Sequence, residues 1–285
     1  RCLMDAKTFL VEFGHIANAP EGINSLRELI LGLALTGRLL KNNLSLPEDF
    51  ESQLDKARER YFQKINKKNK PIKFAEPLLK EPDIPTGWIW SRVGSVCDLQ
   101  TGATPSRKRP EFFGGEIRWL VSGDINKGEI TECEGRITEK GLKNSNCKVL
   151  PEDSVLIALN GQGKTRATVA LLRIPAACNQ SLVAMIPFCR ELILPEFLFY
   201  SLKYRYIEIR DITGQKQRRG LNMGLVSELS IPLPPLEEQK RIVKKVEELM
   251  KLCDKLENQQ VQRNKRKDQI RLASLDSFTN IKNLS

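Results

Sequence analysis

The sequence predicts an α+β protein: a globular mixed α/β domain followed by a long α-helix, with a helical segment at the N-terminal side. Three observations predict it. Apolar residues recur three and four positions apart through the first 65 residues, short apolar runs bounded by turn residues fill the middle, and a stretch without Pro or Gly follows Pro235. We expect divisions at 1–75, 76–234 and 235–285.

The N-terminal segment is expected to be helical. Phe9, Phe13 and Ile16 have the spacing of one helix face, and an apolar stretch over 23–40 predicts a second helix. Apolar positions at 50, 54, 57, 61 and 65 predict a third, amphipathic helix. Four prolines between positions 71 and 85 then predict a linker, because proline does not fit the interior of a helix.

The middle of the chain has the pattern of short strands separated by turns. The runs VCDLQTG, IRWLVSG, SVLIALN and LVAMIP are apolar or β-branched and are bounded by Gly, Pro, Asn or Ser. Residues 195–210 predict a helix with Pro195 in its first turn. Strands and a helix in one stretch predict a mixed α/β domain.

The last stretch predicts one long helix with an apolar seam. A helix of about 40 residues would be roughly 60 Å long, which is too long to hide its stripe in a compact domain of this size. We therefore expect this stripe to be exposed and to pack on another long helix; the alternative is a peripheral helix lying on its own domain. The predicted seam has the four-three spacing of a coiled coil and consists of Ile242, Val246, Leu249, Cys253 and Leu256.

The composition indicates a polyanionic partner. Forty-six Lys and Arg residues against 35 Asp and Glu residues give a formal net charge of +11, which favours DNA, RNA or an acidic surface. Seven scattered cysteines and a single histidine argue against a disulfide framework and against a zinc site. The chain shows no long uncharged apolar run and no signal peptide, so we expect no membrane span and a cytoplasmic protein.

Motifs for catalysis are incomplete. The segment NGQGKTRA contains Gly-Lys-Thr, which is the end of a phosphate-binding loop motif. The first glycine of that motif would have to be at position 158, where this chain has Ala158. Pro234 and Pro235 follow Leu233, whereas the catalytic loop of an adenine methyltransferase needs Asn there. The Glu238-Gln239-Lys240 string is expected to be a solvated helix face rather than part of a nuclease centre. We expect no catalytic residue, no metal and no cofactor in this chain.

Three basic clusters in predicted loops are candidates for DNA binding. Glycines let the main chain approach a phosphodiester backbone, Lys and Arg contact phosphates, and Arg and Gln can also read base edges. The alternative for each cluster is an ordinary solvated loop. The candidates are Thr101, Thr104, Ser106, Arg107, Lys108 and Arg109 in the first, Lys164, Thr165 and Arg166 in the second, and Gln215, Lys216, Gln217, Arg218 and Arg219 in the third.

Several segments together resemble the specificity subunits of type I restriction–modification systems. IPTGWIWSRVGSVCDLQTGATPSR is similar to the opening of their target recognition domain, and EFFGGEIRWLVSGDINKG and AACNQSLVAMIP continue that pattern. IPLPPLEEQKRIVKKVEELMKLCDKLE is similar to the string that closes the domain and opens a long helix, and NAPEGINSLRELILGLALTGRLL resembles the leading segment.

The resemblance implies a DNA-reading protein without catalytic activity. In this family a recognition domain reads one half of a split site in double-stranded DNA, and the long helices act as a spacer and as a docking surface for methyltransferase subunits. S-adenosylmethionine, ATP and Mg²⁺ are then expected on partner subunits, among them the endonuclease and translocase subunit, and none in this chain. Single-chain enzymes of type II systems with the same recognition fold remain an alternative.

The chain departs from the family pattern in having one recognition domain and one long helix where family members usually have two. We expect either half of a longer subunit or a half-size subunit that dimerises. In both cases we expect two copies to pair antiparallel through the long helix, which would place two recognition domains at a fixed spacing. Two other hypotheses stay open: a scaffold protein whose functional part is the helix, and an enzyme acting on nucleic acid.

Overall fold

The computed structural model describes residues 19, 21–41, 44–69, 74–161, 164–212 and 220–282, with side chains up to residue 273. Its contacts group into two compact units. The larger is Ala34–Val243, and the smaller combines residues before 34 with residues after 243. No helix among the described residues is long and apolar enough to cross a membrane.

The model confirms the predicted α+β fold with its long C-terminal helix. The described helices are α1 (Gly22–Leu35), α2 (Phe50–Lys64), α3 (Val93–Val96), α4 (Glu139–Lys143), α5 (Pro195–Tyr204), α6 (Tyr206–Ile212), α7 (Met223–Ser227) and α8 (Leu236–Lys282). The described strands are β1 (Ile89–Arg92), β2 (Cys97–Thr101), β3 (Phe113–Leu120), β4 (Glu129–Ile130), β5 (Arg136–Ile137), β6 (Val155–Ala158), β7 (Val169–Leu172), β8 (Ala177–Cys178), β9 (Leu182–Pro187) and β10 (Ser230–Leu233).

The centre of the larger unit is a five-stranded sheet in the order β2-β9-β6-β7-β4. The pairs β2–β9, β9–β6 and β6–β7 are antiparallel, and β4 runs parallel to β7. Successive residues of β6 enter opposite cores: Val155 and Ile157 pack on one face, and Leu156 and Ala158 pack on the other. Because both faces are covered, these strands appear in the sequence as continuous apolar runs rather than as an alternating pattern.

Two smaller sheets flank the central one. Strands β1 and β10 form an antiparallel pair, and β5, β3 and β8 form a three-stranded sheet with a register shift in β3. The four predicted apolar runs correspond to β2, the end of β3, β6 and β9. Strand β7 was not predicted, although its four residues are all buried.

Two predicted helices end or break earlier than expected. Helix α1 ends at Leu35 rather than at residue 40, because Gly37 adopts a φ of 68° that ends the helix. The helix expected over 195–210 is two helices, α5 and α6, separated at Arg205. The Arg205 side chain is buried, lies over the ring of Trp90 at 4.8 Å, and donates a hydrogen bond to the Lys80 carbonyl oxygen at 2.9 Å.

The start of α8 is built into the larger unit, so the expectation of a solvated face at positions 238 and 239 is wrong. Glu238 and Gln239 are both fully buried. Glu238 Oε2 accepts a hydrogen bond from Trp88 Nε1 at 3.0 Å, and burial raises the pKa of this carboxyl group. Gln239 donates to the carbonyl oxygens of Leu192 and Pro234, and its Oε1 accepts from the Leu194 amide.

The smaller unit contains the N-terminal helix and the distal part of α8. Ile23 and Leu26 of α1 pack against Cys253, and Ile30 and Leu256 border that cluster. Two ion pairs reinforce the contact, since Arg27 binds Asp254 and Glu257, each at 2.7 Å. Helix α1 therefore covers part of the predicted seam.

The expectation of an exposed stripe along the seam is consequently wrong for its first two heptads. Ile242, Val246 and Cys253 are 2%, 0% and 4% exposed within this one chain. Leu249 and Leu256 are partly buried. The seam residues serve intramolecular packing. Their role in self-association stays a prediction, as does the functional division at residues 75 and 234.

Candidate DNA interface

The central sheet brings two of the three predicted basic clusters to one end. The first cluster begins at Thr101, the last residue of β2, which pairs with Val183. The second lies in the loop between Ala158 at the end of β6 and β7, and Ala158 pairs with Leu182. Since both pairings are at the start of β9, the loops 102–109 and 159–168 emerge from the same end of the sheet.

The base of the first loop is anchored by backbone contacts. A Cβ atom on Gly102 would lie 1.8 Å from the carbonyl oxygen of Cys178, so only glycine fits this close approach. The Ala103 amide donates to the same carbonyl at 2.9 Å. The Ala103 carbonyl accepts hydrogen bonds from Trp119 Nε1 at 3.1 Å and from the Cys147 thiol at 2.9 Å. The Thr-Gly-Ala-Thr string therefore starts the loop from a fixed point.

The outer part of the first loop presents its cations to solvent. The side chains of Ser106, Arg107, Lys108 and Arg109 are exposed. A turn holds the backbone here, because the Arg109 amide donates to the Ser106 carbonyl at 3.1 Å. The Arg109 guanidinium lies 5.6 Å from the centre of the Phe112 ring, and its side chain is 62% exposed. Three exposed cations on one turn suit contacts to phosphates.

The second loop is held by helix α6. Tyr206 donates its hydroxyl hydrogen to the Lys164 carbonyl at 2.5 Å, and Arg210 donates to the Arg166 carbonyl at 3.0 Å. The Lys164 side chain is exposed, whereas Thr165 and Arg166 are half-buried. This loop joins two antiparallel strands, whereas a phosphate-binding loop leads from a strand into a helix. Lys164 is thus the most accessible cation of this cluster.

The third cluster lies outside the described residues. Gln215, Lys216, Gln217, Arg218 and Arg219 are all in this segment. The described chain leaves off at Ile212 in α6, the helix that holds the second loop, and resumes at Gly220. The assignment of these five residues to DNA binding stays a prediction.

Two threonines of the first cluster have partners at the start of β9 and on the turn before it. The Thr101 side chain is at a hydrogen-bonding distance of 3.4 Å from the Leu182 carbonyl. The Thr104 hydroxyl donates to Gln180 Oε1 at 2.6 Å. Gln180 was missed by the sequence reasoning. The signal available was the polar Asn-Gln-Ser string between two apolar runs, which is typical of a turn.

A cleft of about 430 Å³ with both polar and apolar walls adjoins the end of β2. Its wall includes exposed Lys148 and Lys67, and Lys67 pairs with Asp98 at 3.2 Å. Asp98 also accepts from the Tyr61 hydroxyl at 3.1 Å. Desolvation, and then the Asp98 charge, raise the pKa of Tyr61, which keeps its hydroxyl protonated. Neither lysine was predicted as part of a site, since Lys67 lies in the basic stretch KINKKNK at the expected end of a helix and Lys148 is isolated in the sequence.

The charges at the opposite end of the sheet are compensated. Arg173 follows the end of β7 and contacts Glu129, Asp153 and Glu196 at 2.7–3.1 Å. Arg190 follows β9 and pairs with Asp153 as well. Both arginines form ion pairs between neighbouring turns, so their positive charges are already balanced by carboxylates. In the two loops Arg109 lies 4.0 Å from Glu111, so Arg107, Lys108 and Lys164 are the better candidates for contact with a polyanion.

No catalytic constellation is evident in the part of the chain that is described. Within those residues, no group of three or more His, Cys, Asp or Glu side chains could hold a metal ion. The expectation of no metal, no cofactor and no catalytic residue in this chain stays a prediction.

Comparisons with known proteins find similarity to one family. The model of the type I restriction modification DNA specificity domain matches residues 85–264, which is more than half of the 285-residue chain. The chain is 30% identical over 183 residues to the type I restriction enzyme MjaIX specificity subunit of Methanocaldococcus jannaschii, covering 60% of this chain and 40% of that protein. It is 29% identical over 160 residues to the EcoR124I/EcoR124II specificity subunit of Escherichia coli, covering 54% and 39%.

A solved structure has the same fold. One solved structure is described as the structural basis of complex assembly and conformational transition of the type I R-M system. A chain in it matches with a TM-score of 0.51 and 21% identity, covering 90% of this chain and 54% of that chain. The chain thus spans about two fifths of the curated relatives and half of the structural one. The family match includes both the Trp88 and the Glu238 segments, which meet in the fold. The chain belongs to the family of type I restriction–modification DNA specificity domains.

Proposed function

We propose that this chain is a non-catalytic DNA-recognition part of a type I restriction–modification complex and reads one half of a bipartite site in double-stranded DNA. The observation that carries the proposal is the convergence of two basic loops at one end of the central sheet, within the stretch that matches the DNA specificity domain. Exposed Arg107, Lys108 and Lys164 supply the charge that attracts phosphates.

The proposal extends to the assembly in which the chain works. It docks methyltransferase subunits, which hold S-adenosylmethionine, and joins an endonuclease and translocase subunit that uses ATP and Mg²⁺. The MjaIX and EcoR124I/EcoR124II relatives, which are specificity subunits of type I restriction enzymes, support this extension. We expect a cytoplasmic location, since that is where the DNA and the partner subunits are.

The salt dependence of duplex binding tests DNA recognition. We expect the logarithm of the association constant to fall linearly with the logarithm of salt concentration, because each phosphate contact releases condensed counterions. Replacing Arg107 and Lys108 by alanine should reduce that slope by about 2, at about 0.9 for each lost contact. Fluorescence anisotropy of a labelled duplex between 50 and 200 mM salt, about the range in which such contacts weaken most visibly, measures it.

A matched control uses a cation from the other end of the sheet. Arg190→Ala removes one positive charge that is paired with Asp153 and should leave the slope unchanged. If the chain does not bind duplex DNA, or if Arg190→Ala lowers the slope as much as a loop substitution does, the proposed interface is wrong. Absence of duplex binding would favour the scaffold hypothesis, whereas an effect of Arg190→Ala would place the DNA contacts elsewhere on the domain.

The proposal also includes self-association through α8. Among the side chains described up to residue 273, the large apolar ones that stay exposed on this helix are Leu252, Val261, Ile270 and Leu272, at 48–67% exposure. Light scattering of the full chain, compared with a variant carrying lysine at positions 261, 270 and 272, tests it. We expect a dimer that becomes a monomer; a monomer in both cases would remove self-association from the proposal.

A further inference from the structure

The turn before β9 occupies a central position at the loop end of the sheet. Strand β9 lies between β2 and β6 in the sheet order, so the turn at 179–181 lies between the first and second basic loops. Two strand spacings separate β2 from β6, which is about 10 Å. The major groove of B-DNA is about 12 Å wide, with phosphates on both sides. A central turn flanked by cations matches that arrangement.

The turn itself is fixed on both sides. The Asn179 amide donates to the Leu120 carbonyl at 2.9 Å, and the Leu159 amide donates to the Ser181 carbonyl at 2.8 Å. Asn179 Oδ1 accepts from the Ser181 amide at 3.0 Å, which uses this side chain within the turn. Gln180 is the exposed residue between them.

The Gln180 side chain is oriented in advance of any ligand. Its Oε1 accepts the Thr104 hydroxyl hydrogen at 2.6 Å, which directs the carboxamide. The oxygen keeps a second lone pair and the nitrogen keeps two donors. An amide of this kind pairs with adenine in the major groove, accepting from N6–H and donating to N7. Base reading needs a fixed direction, whereas a phosphate contact tolerates a mobile cation.

We propose that Gln180 reads an adenine edge in the major groove, that Thr104 is the positioning residue for its carboxamide, and that the flanking loops contact phosphates on either side. This inference rests on the proposed function and assigns a specificity-determining residue to it. Thr104, predicted from the sequence as a DNA contact, acts instead through Gln180.

The experiment is selection of bound sequences from a double-stranded oligonucleotide library with a randomised centre, using the full chain and its Gln180→Ala variant. The wild-type chain should enrich a sequence that contains adenine. Gln180→Ala should lose the preference at one such adenine and bind the wild-type consensus about 5- to 150-fold more weakly, the range of one bidentate base contact. Its binding to random duplex at low salt should stay within about twofold.

Lys164→Ala is the control for a phosphate contact. It should weaken consensus and random duplexes alike, reduce the salt slope by about 1, and leave every base preference in place. Thr104→Val should relax the same adenine as Gln180→Ala, and Thr104→Ser, which keeps the hydroxyl, should restore it. A merely structural threonine would shift thermal stability without changing one base preference.

The outcomes separate this inference from the proposed function. If the wild-type chain enriches a sequence and Gln180→Ala enriches the same one, Gln180 is not a base reader and the inference is overturned while DNA recognition stands. If Gln180→Ala weakens all duplexes equally, its contact is to the backbone and the inference fails as well. If the wild-type chain enriches no sequence, both proposals fall.

Discussion

Replacing Gln239 tests whether the hydrogen bonds of a single buried amide hold the first turn of α8 in place within the larger unit. The side chain is fully buried and makes three hydrogen bonds to the main chain, at 2.8–2.9 Å. Gln239→Ala leaves the Leu194 amide and the carbonyls of Leu192 and Pro234 without these partners. The Pro234 contact is fully buried and the other two are partly buried. The free energy of unfolding should therefore fall by about 1–3 kcal/mol for the Pro234 carbonyl, with a smaller addition from the two groups that water can reach.

The loss is a measurable part of the total stability of a domain, which is about 5–15 kcal/mol. Urea denaturation followed by tryptophan fluorescence measures it as a lower midpoint, and buried Trp88 in the same unit contributes to that signal. Gln239→Met separates hydrogen bonding from cavity formation, because Met has a similar volume and is apolar. It should be nearly as unstable as Gln239→Ala. Exposed Lys240→Ala should change stability by no more than about 0.5 kcal/mol.

Two results would refute this reasoning. If Gln239→Met were as stable as the wild type, packing volume rather than hydrogen bonding would hold the helix start. If Gln239→Ala cost less than about 1 kcal/mol, the three backbone groups would have to find other partners, and the single-residue attachment would be wrong.

Three further predictions concern the loop base, the buried carboxyl group and the N-terminal helix. Gly102→Ala should destabilise the larger unit by about 1–3 kcal/mol or more in thermal melts because its Cβ would overlap a carbonyl oxygen, whereas Gly123→Ala, with open space, should be tolerated. Burial raises the pKa of Glu238 above its usual value of 4.5. The stability contributed by the protonated carboxyl group is therefore complete below pH 4.5 and is lost as pH rises through the folded-state pKa. The stability of the wild type relative to Glu238→Gln should therefore increase between pH 7 and pH 5 in urea titrations. Leu26→Ala should reduce the packing free energy between α1 and Cys253 by about 2–5 kcal/mol. Maleimide should then label Cys253 faster, as measured by peptide mass spectrometry. Unchanged labelling would show that α1 does not protect this thiol.

The helices were predictable because the spacing of apolar residues and the positions of Pro and Gly are local features of the sequence. The stretch after Pro235 has no Pro or Gly, and α8 begins at Leu236 as predicted. Strands β2, β6 and β9 were predictable because each is a short apolar run between turn residues. The end of α1 was placed five residues too late, since the φ of 68° at Gly37 depends on how the chain leaves the helix.

The candidate interface was predictable in its residue types and only partly in its members. Basic residues among glycines and hydroxyls marked the two loops, and Lys164 is exposed there as a DNA contact requires. Gln180 was missed, because its significance comes from the Thr104 hydroxyl, 76 positions away in the chain. Lys67 and Lys148 were missed for the same reason, since the cleft they line is assembled from separated segments.

The sequence by itself determined the α+β class, the basic charge, the long helix and the family resemblance, because these follow from composition and local patterns. Only the tertiary structure decided which loops meet and what covers each apolar face. The order β2-β9-β6 comes from hydrogen bonds between distant segments, and it places the turn at Gln180 between two basic loops. Periodicity showed that the seam of α8 is apolar, but the partner of its Cys253 segment, α1, depends on packing between parts of the chain more than 200 residues apart.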